Sequence, residues 1–441
     1  MKSLRQTADG PVAVVAGLDC ITGLQTARLL SQRGVTVIAV ATDRRHYCCR
    51  TRVCRQILTA DKSSEDLLRC LEELGPSLPQ KAVLFPCTDM SVLMISRGRE
   101  RLRPWYHVML GDPQVIEMLV DKIRFIRFAC EKGLPIPRTA ILNNRDDAEQ
   151  AVARLPFPCV LKPPVKTPEW EANTRVKAYQ VASRDALLPL YDRCSAWSDT
   201  LLLQEWIEGP ESELYSCNAY FDAHSNPLVT FVARKLRQWP PGTGTSCLGE
   251  ECRNDGVLQE TVRLFQTAGF HGLAYLEMKR DARTGELVII EPNVGRPTGR
   301  SAIAEAGGVE LVYTMYCDAT GRPLPEARRQ QYRGVKWIYW RRDLQSSWHY
   351  WRGGQLTLRQ WWRSWRGPKG CAVFSWSDPG PFLADFTRAA RLSLERVGRT
   401  ICSRLLAKPQ SRGRLAHGGP IGHQENDPVH DACPTPGLRF E

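Results

Sequence analysis

Gly272-Leu273-Ala274-Tyr275-Leu276-Glu277 and Leu287-Val288-Ile289-Ile290-Glu291-Pro292-Asn293 are two apolar runs, each delivering an acid. The polar stretch Lys279–Glu286, with Gly285 in it, separates them. Apolar runs of strand length around a polar connector predict a β-hairpin. Glu277 then ends the first strand and Glu291 leaves the second. Antiparallel pairing sets the two carboxylates side by side with the Asn293 amide oxygen. Such an all-oxygen cluster suits Mg²⁺, a hard cation that keeps several waters and takes further ligands from phosphates. A solvated hairpin edge is the alternative for two acids alone. The apolar run directly before Glu291 argues against it, because a carboxylate beside a core strand needs a metal or an Arg partner.

With 441 residues, 43% hydrophobic and 24% charged, the chain is long enough for two or three domains with substantial cores. Its net charge of +13 admits nucleic acid, a membrane surface or an anionic substrate, but most of the excess is local, past Gly334. No nucleic-acid partner is expected. The sixteen cysteines are scattered, and Cys87, Cys159 and Cys217 lie in apolar runs where a free thiol behaves as a small hydrophobe. Cys48, Cys49 and Cys54 lack zinc-site spacing. No apolar signal core follows the N-terminal residues, and no run is long enough to span a bilayer. A reducing cytoplasm is therefore expected.

Outward from the hairpin, Pro11–Ala16, the loop Gly17–Gly23, a helix to Gly34 and the strand Val35–Val40 read as a βαβ unit and predict a parallel sheet wrapped by helices. The loop is not Gly-x-Gly-x-x-Gly, so it reads as scaffold or substrate contact rather than a dinucleotide site. Asp89, after the strand Val83–Pro86, either faces a substrate or caps the next helix. Val115–Gly133 reads as one helix containing Asp121 and Lys122. Lys162 emerges from the strand Cys159–Leu161 and aims its ammonium at water or at an anion. The polar loop Lys166–Val181 has no run of glycines. After Leu201–Leu203 come Gln204-Glu205-Trp206-Ile207-Glu208-Gly209 and then Glu213. Backbone groups at Trp206 and Ile207 could bond an adenine edge and Glu213 a ribose, or this is an ordinary strand and turn. On the basic strand that follows, Lys235 and Arg237 point to one face and Arg234 to the other.

Past Gly334, Trp337, Trp340, Trp348, Trp351, Trp361, Trp362, Trp365 and Trp376 are interleaved with arginines. Three readings stay open: an amphipathic helix over Leu356–Trp365 on anionic lipid, stacking on a sugar or base, or packing back with arginines over indoles. Phe382–Leu406 reads as a further helix, and the tail past Lys408 as disordered.

Taken in order, Asp121-Lys122, Lys162, Gln204-Glu205-Trp206-Ile207-Glu208-Gly209, Glu277 and Glu291-Pro292-Asn293 resemble the ATP-grasp superfamily over roughly residues 12–320. Lys235-Leu236-Arg237-Gln238-Trp239-Pro240-Pro241 and the Trp/Arg-bearing C-terminal region are similar to the D-aspartate ligase type of carboxylate-amine ligase. The resemblance implies an α/β and α+β architecture. A Rossmann-like (pre-ATP-grasp) domain, 1–114, would precede a two-lobed ATP-grasp domain, 115–325, with lobes 115–208 and 209–325. A basic extension, 326–406, and a disordered tail, 407–441, would follow. It further implies that Lys122 and Lys162 contact ATP phosphates, with Lys177 in place of a glycine-rich flap. Glu205 and the Trp206–Ile207 backbone would hold adenine, and Glu213 ribose. Glu277, Glu291 and Asn293 would bind Mg²⁺, with Mn²⁺ as a substitute. Arg296 stands three residues after Asn293 where the family places its Arg two after. With Lys235 and Arg237 it completes the catalytic cations.

The activity so implied is ATP-dependent condensation of a small carboxylate with an amine, releasing ADP and phosphate. A homodimer and peripheral contact with the inner face of a membrane through residues 334–380 are compatible with it. The competing expectation is a non-catalytic protein that binds a membrane surface or polysaccharide through the same basic region.

Overall fold

The computed structural model describes residues 10–391 apart from 166, 175 and 243. Strands β1 (Ala13–Ala16), β2 (Val37–Ala41), β3 (Cys54–Thr59), β4 (Ala82–Pro86) and β5 (Tyr106–His107) form one sheet in the order β3-β2-β1-β4-β5. Every pairing in it is parallel. β1, β2 and β4 are buried along their whole length, as a parallel sheet covered on both faces requires. At the tight passage into the helix Ile21–Gln32, Gly17 has φ +116°, a left-handed conformation that favours glycine. A Cβ on Gly23 would lie 2.0 Å from the Gly17 carbonyl oxygen. The glycine loop thus packs on itself as scaffold.

A second sheet holds β6 (Thr139–Leu142), β7 (Cys159–Lys162), β8 (Tyr179–Val181) and β9 (Leu201–Glu205), in the order β6-β9-β7-β8 and all antiparallel. Leu142, Leu161, Leu187, Leu203 and Trp170 build its core. The helix expected over Val115–Gly133 is two, Pro113–Val120 and Lys122–Glu131. Asp121 breaks it: its backbone is extended (ψ 116°) and its side chain accepts from the Arg124 N–H at 2.9 Å. Aspartate at an N-cap stabilises by about 1 kcal/mol, which favours starting a new helix over continuing the old one.

The third sheet has seven strands: β10 (Leu214–Phe221), β11 (Pro227–Trp239), β12 (Thr245–Glu251), β13 (Gly272–Arg280), β14 (Leu287–Val294), β15 (Lys336–Ile338) and β16 (Lys369–Cys371). Their order is β14-β13-β10-β11-β12-β15-β16. On one face Cys217, Ala219, Leu276, Met278 and Val294 join a core with Val257, Leu264 and Phe265 of the helix Asp255–Thr267. Burial of each of the larger side chains among them stabilises by about 2 kcal/mol, so the alternation of these strands is fixed by this face.

Residues of the basic Trp-rich region are part of the large sheet, since β15 and β16 extend its edge. Contacts group residues up to Phe382 into one unit. Two ion pairs anchor the region. Arg237 on β11 meets Asp343 at 2.7 and 3.1 Å. Arg28, on the first helix, holds Asp378 at 2.9 Å and the Val373 carbonyl at 2.8 Å. In the second unit, residues 383–391 are helical. The remainder of the helix expected to Leu406, and the tail, lie outside the described residues.

Candidate active site on the polar face of the large sheet

The hairpin places its acids in mid-strand rather than at strand ends. Glu277 stands opposite Glu291, and Tyr275 opposite Asn293. Because side chains alternate along a strand, Tyr275, Glu277 and Lys279 share the face opposite to the core residues Leu276 and Met278. Across the pairing with β10, Ser216 faces Glu277 and Asn218 faces Tyr275, so polar groups continue over the same face.

Bulges in β11 at Lys235–Arg237 and Arg237–Gln238 break the simple alternation expected for that strand. Lys235 Nζ reaches Glu277 Oε1 at 2.9 Å and Gln238 Oε1 at 3.1 Å. Arg237 instead turns to Asp343, and Arg234 pairs with Glu250 at 2.7 Å. Arg237 is 5% exposed and committed to that carboxylate, which makes it a link between β11 and the helix Trp340–Arg352.

The loop after β14 supplies two more guanidinium groups. Arg296 bonds Asp89 at 2.7 Å and the Asn293 amide oxygen at 3.0 Å. Helix capping at this point falls to Thr88, whose side chain accepts from Ser91, so Asp89 is left for Arg296. Arg300 is 3% exposed. It reaches the hydroxyls of Ser216 (2.8 Å), Tyr275 (2.5 Å) and Ser246 (3.0 Å), while its Nε has no partner among the described residues. Arg300 escaped the sequence reading. Its signal was a second arginine four residues after Arg296 in the same Pro/Gly loop.

From the second sheet, Lys162 Nζ bonds Gln204 Oε1 at 2.9 Å, and Lys122 Nζ bonds the Pro164 carbonyl at 2.9 Å. Trp206 donates its N–H to the Pro158 carbonyl at 3.0 Å, and the Ile207 carbonyl accepts from Lys279 at 2.8 Å. Two backbone groups of the expected adenine edge are therefore engaged within the chain. Glu205 pairs with Arg283 at 2.7 Å, and Glu213 accepts from Tyr215 at 2.9 Å.

Electrostatics ties these groups into one set. Burial pushes the Glu291 carboxyl above its ordinary range; Asp89 and Glu277 push the same way, and Lys122 and Lys162 oppose them. Burial lowers the Lys162 ammonium, with Glu291 pulling it back. At Glu277 burial is outweighed by Lys235 and Arg300, with Lys177 adding to them, so its carboxyl stays below the usual value. At Asp89 burial is likewise outweighed, by Arg296. Glu291 is crowded by protein yet exposed to solvent. Among the described residues no three His, Cys, Asp or Glu form a metal cage. The opposed pair Glu277–Glu291 is a partial oxygen shell, of the kind that suits Mg²⁺ shared with phosphate oxygens.

Solved structures share the fold that carries these residues. N5-carboxyaminoimidazole synthetase from Staphylococcus aureus, in its complex with ADP, aligns over 74% of this chain and 82% of its own with a TM-score of 0.58 at 14% identity. The biotin carboxylase domain of the Hydrogenobacter thermophilus 2-oxoglutarate carboxylase, solved with MgADP and bicarbonate, aligns over 72% and 71% with a TM-score of 0.56 at 15% identity. The chain has the ATP-grasp fold. As expected of that fold, it combines a parallel sheet with antiparallel strand pairing, and only the β15–β16 pair of the large sheet runs parallel among the described residues. In sequence it is similar to D-aspartate ligase of Enterococcus faecium, 25% identical over 248 residues, or 54% of this chain and 58% of the relative. It is also similar to D-alanine–D-alanine ligase of Ectopseudomonas mendocina, 31% identical over 190 residues, 40% of this chain and 55% of the relative. The chain thus spans just over half the length of these curated relatives. No family model matches it.

Proposed function

We propose that the protein is an ATP-dependent carboxylate-amine ligase that forms an amide through an acylphosphate and releases ADP and phosphate. One observation carries the reading: Glu277 and Glu291 oppose each other on a polar sheet face, coupled to Lys122, Lys162 and Lys177. Unlike charges gathered on one polar sheet face are an arrangement for a polyphosphate and its metal. The names of the curated relatives supply the class of bond formed.

On this reading Glu277, Glu291 and Asn293 hold Mg²⁺, or Mn²⁺ in its place. Bound metal would supply charge neutralisation on the phosphates. Lys122, Lys162 and Lys177 orient the triphosphate, and positioned ammonium groups spread the charge that develops as a substrate carboxylate attacks the γ-phosphate. The Trp206–Ile207 segment and Glu205 line the adenine site and Glu213 the ribose. Freeing Glu205 from Arg283 and Glu213 from Tyr215 accompanies nucleotide entry. Arg300 joins Arg296 and Lys235 as an anion-holding cation. A buried guanidinium whose partners among the described residues are hydroxyls keeps charge available for a carboxylate or an oxyanion. Arg237 positions β11 through Asp343.

Incubating the purified protein with ATP, Mg²⁺ and pools of carboxylates and amines should release ADP together with a condensation product visible by mass spectrometry. Absence of ADP with every pool, or undiminished turnover in Glu291→Ala, would overturn the proposal.

A further inference from the structure

A surface helix ordinarily buries its apolar stripe. The helix Trp340–Arg352 does the reverse: Asp343 and Ser346 are fully buried, whereas Leu344, Trp348 and Trp351 are 52%, 58% and 44% exposed. Asp343 holds Arg237, and Ser346 donates to the Gln238 carbonyl at 2.9 Å. The outward residues, at i, i+4 and i+7, share one face. After the Gly353-Gly354 turn, the short helix Leu358–Ser364 repeats the pattern, with Leu358 67% and Trp362 49% exposed.

Charge points the same way. From Leu344 to Ser377 there is no Asp or Glu, against Arg352, Arg359, Arg363, Arg366 and Lys369. Both bounding acids are buried, Asp343 against Arg237 and Asp378 against Arg28. The four arginines are exposed, and Arg366 lies 5.7 Å from the Trp362 ring centroid.

We infer that the outward face of these two helices docks on a bilayer surface bearing anionic lipid headgroups. Indoles and leucines gain free energy at the headgroup–acyl boundary, and arginines beside them gain from negative headgroups. A nucleic acid would use the arginines but leave Leu344 and Leu358 without a role. A second copy meeting this face symmetrically would set arginines against arginines, since a two-fold contact presents the same patch twice. The inference is independent of the ligase reading.

The test uses the full chain in flotation with phosphatidylcholine vesicles, with and without phosphatidylglycerol. Binding is expected with phosphatidylglycerol only. It should weaken as salt is raised and shift tryptophan emission to the blue. The triple variant Arg359→Gln/Arg363→Gln/Arg366→Gln should lower partitioning about a hundredfold, as should Leu344→Ser/Trp348→Ser/Trp351→Ser. Wild-type protein that stays with the buffer would overturn the inference, and so would triple variants that both float unchanged. A dimer by light scattering that the leucine–tryptophan variant dissolves, without vesicle binding, would overturn it in favour of self-association. Should either variant unfold, the lipid and salt dependence of the wild type still decides.

Discussion

The hairpin β13–β14 and the helix Trp340–Arg352 obey opposite rules. In the hairpin, alternation sends Leu276 and Met278 to the core and Glu277 to the opposite, polar face. In the helix the acid goes inward and the indoles outward. Both carry a carboxylate crowded by protein, but the environments differ. Asp343 is satisfied twice over by Arg237 and accepts from the Trp361 indole at 3.3 Å. Glu291 keeps an uncompensated tendency to protonate. A saturated buried acid is architecture, and an unsaturated one beside open solvent has the character that the proposed metal site requires.

Five measurements would break or sharpen that contrast. The largest effect is expected in Asp343→Ala, which strands the buried Arg237. Losing one partner of a buried pair costs about 3–5 kcal/mol, to be read as a lower denaturation midpoint at unchanged slope. Glu291→Gln should reduce ADP release about a hundredfold, the scale for removing one transition-state electrostatic contact. ADP with Mg²⁺, at about a hundredfold over its Kd, should stabilise the wild type by about 2.7 kcal/mol and the Glu291→Gln protein by much less.

The same substitution has a pH signature of defined sign. The folded carboxyl of Glu291 titrates above its ordinary value, so its protonated form favours the fold. Stability of the metal-free protein is full below the ordinary carboxylate range and is lost as pH rises through the raised value. Glu291→Gln should abolish that loss and melt higher than wild type at neutral pH, trading activity for stability. The smallest effect is expected of Trp348→Ser, within about 0.5 kcal/mol of wild type, as for most surface substitutions. A large destabilisation there would mean the indole belongs to the core after all.

Much of this was legible in the sequence, for physical reasons. The strands β1, β2 and β4 are continuous apolar runs, and the alternation of β13 is fixed by burial on one side, so both could be read from period alone. The meeting of Glu277 with Glu291 followed from hairpin pairing. What stayed hidden depends on long-range contacts. Nothing near Asp343 in the chain announces Arg237, which lies 106 residues away. The bulges that part Lys235 from Arg237 show only in the pairing of β11 with β12, where they bend and twist the strand locally. Asp121 was the opposite kind of miss, a local cap overlooked because apolar residues recur on both sides of it.

The clasp between Arg28 and Asp378 carries a consequence for biosynthesis. The guanidinium emerges from the ribosome with the first helix, whereas its carboxylate follows 350 residues later. Until then a cation destined for the interior has no counter-charge, so the part of the chain made first cannot complete its own burial. Nascent chains arrested before residue 378 should therefore remain open to protease around the first helix, and shortened versions of the protein ending before that aspartate should inherit the same defect.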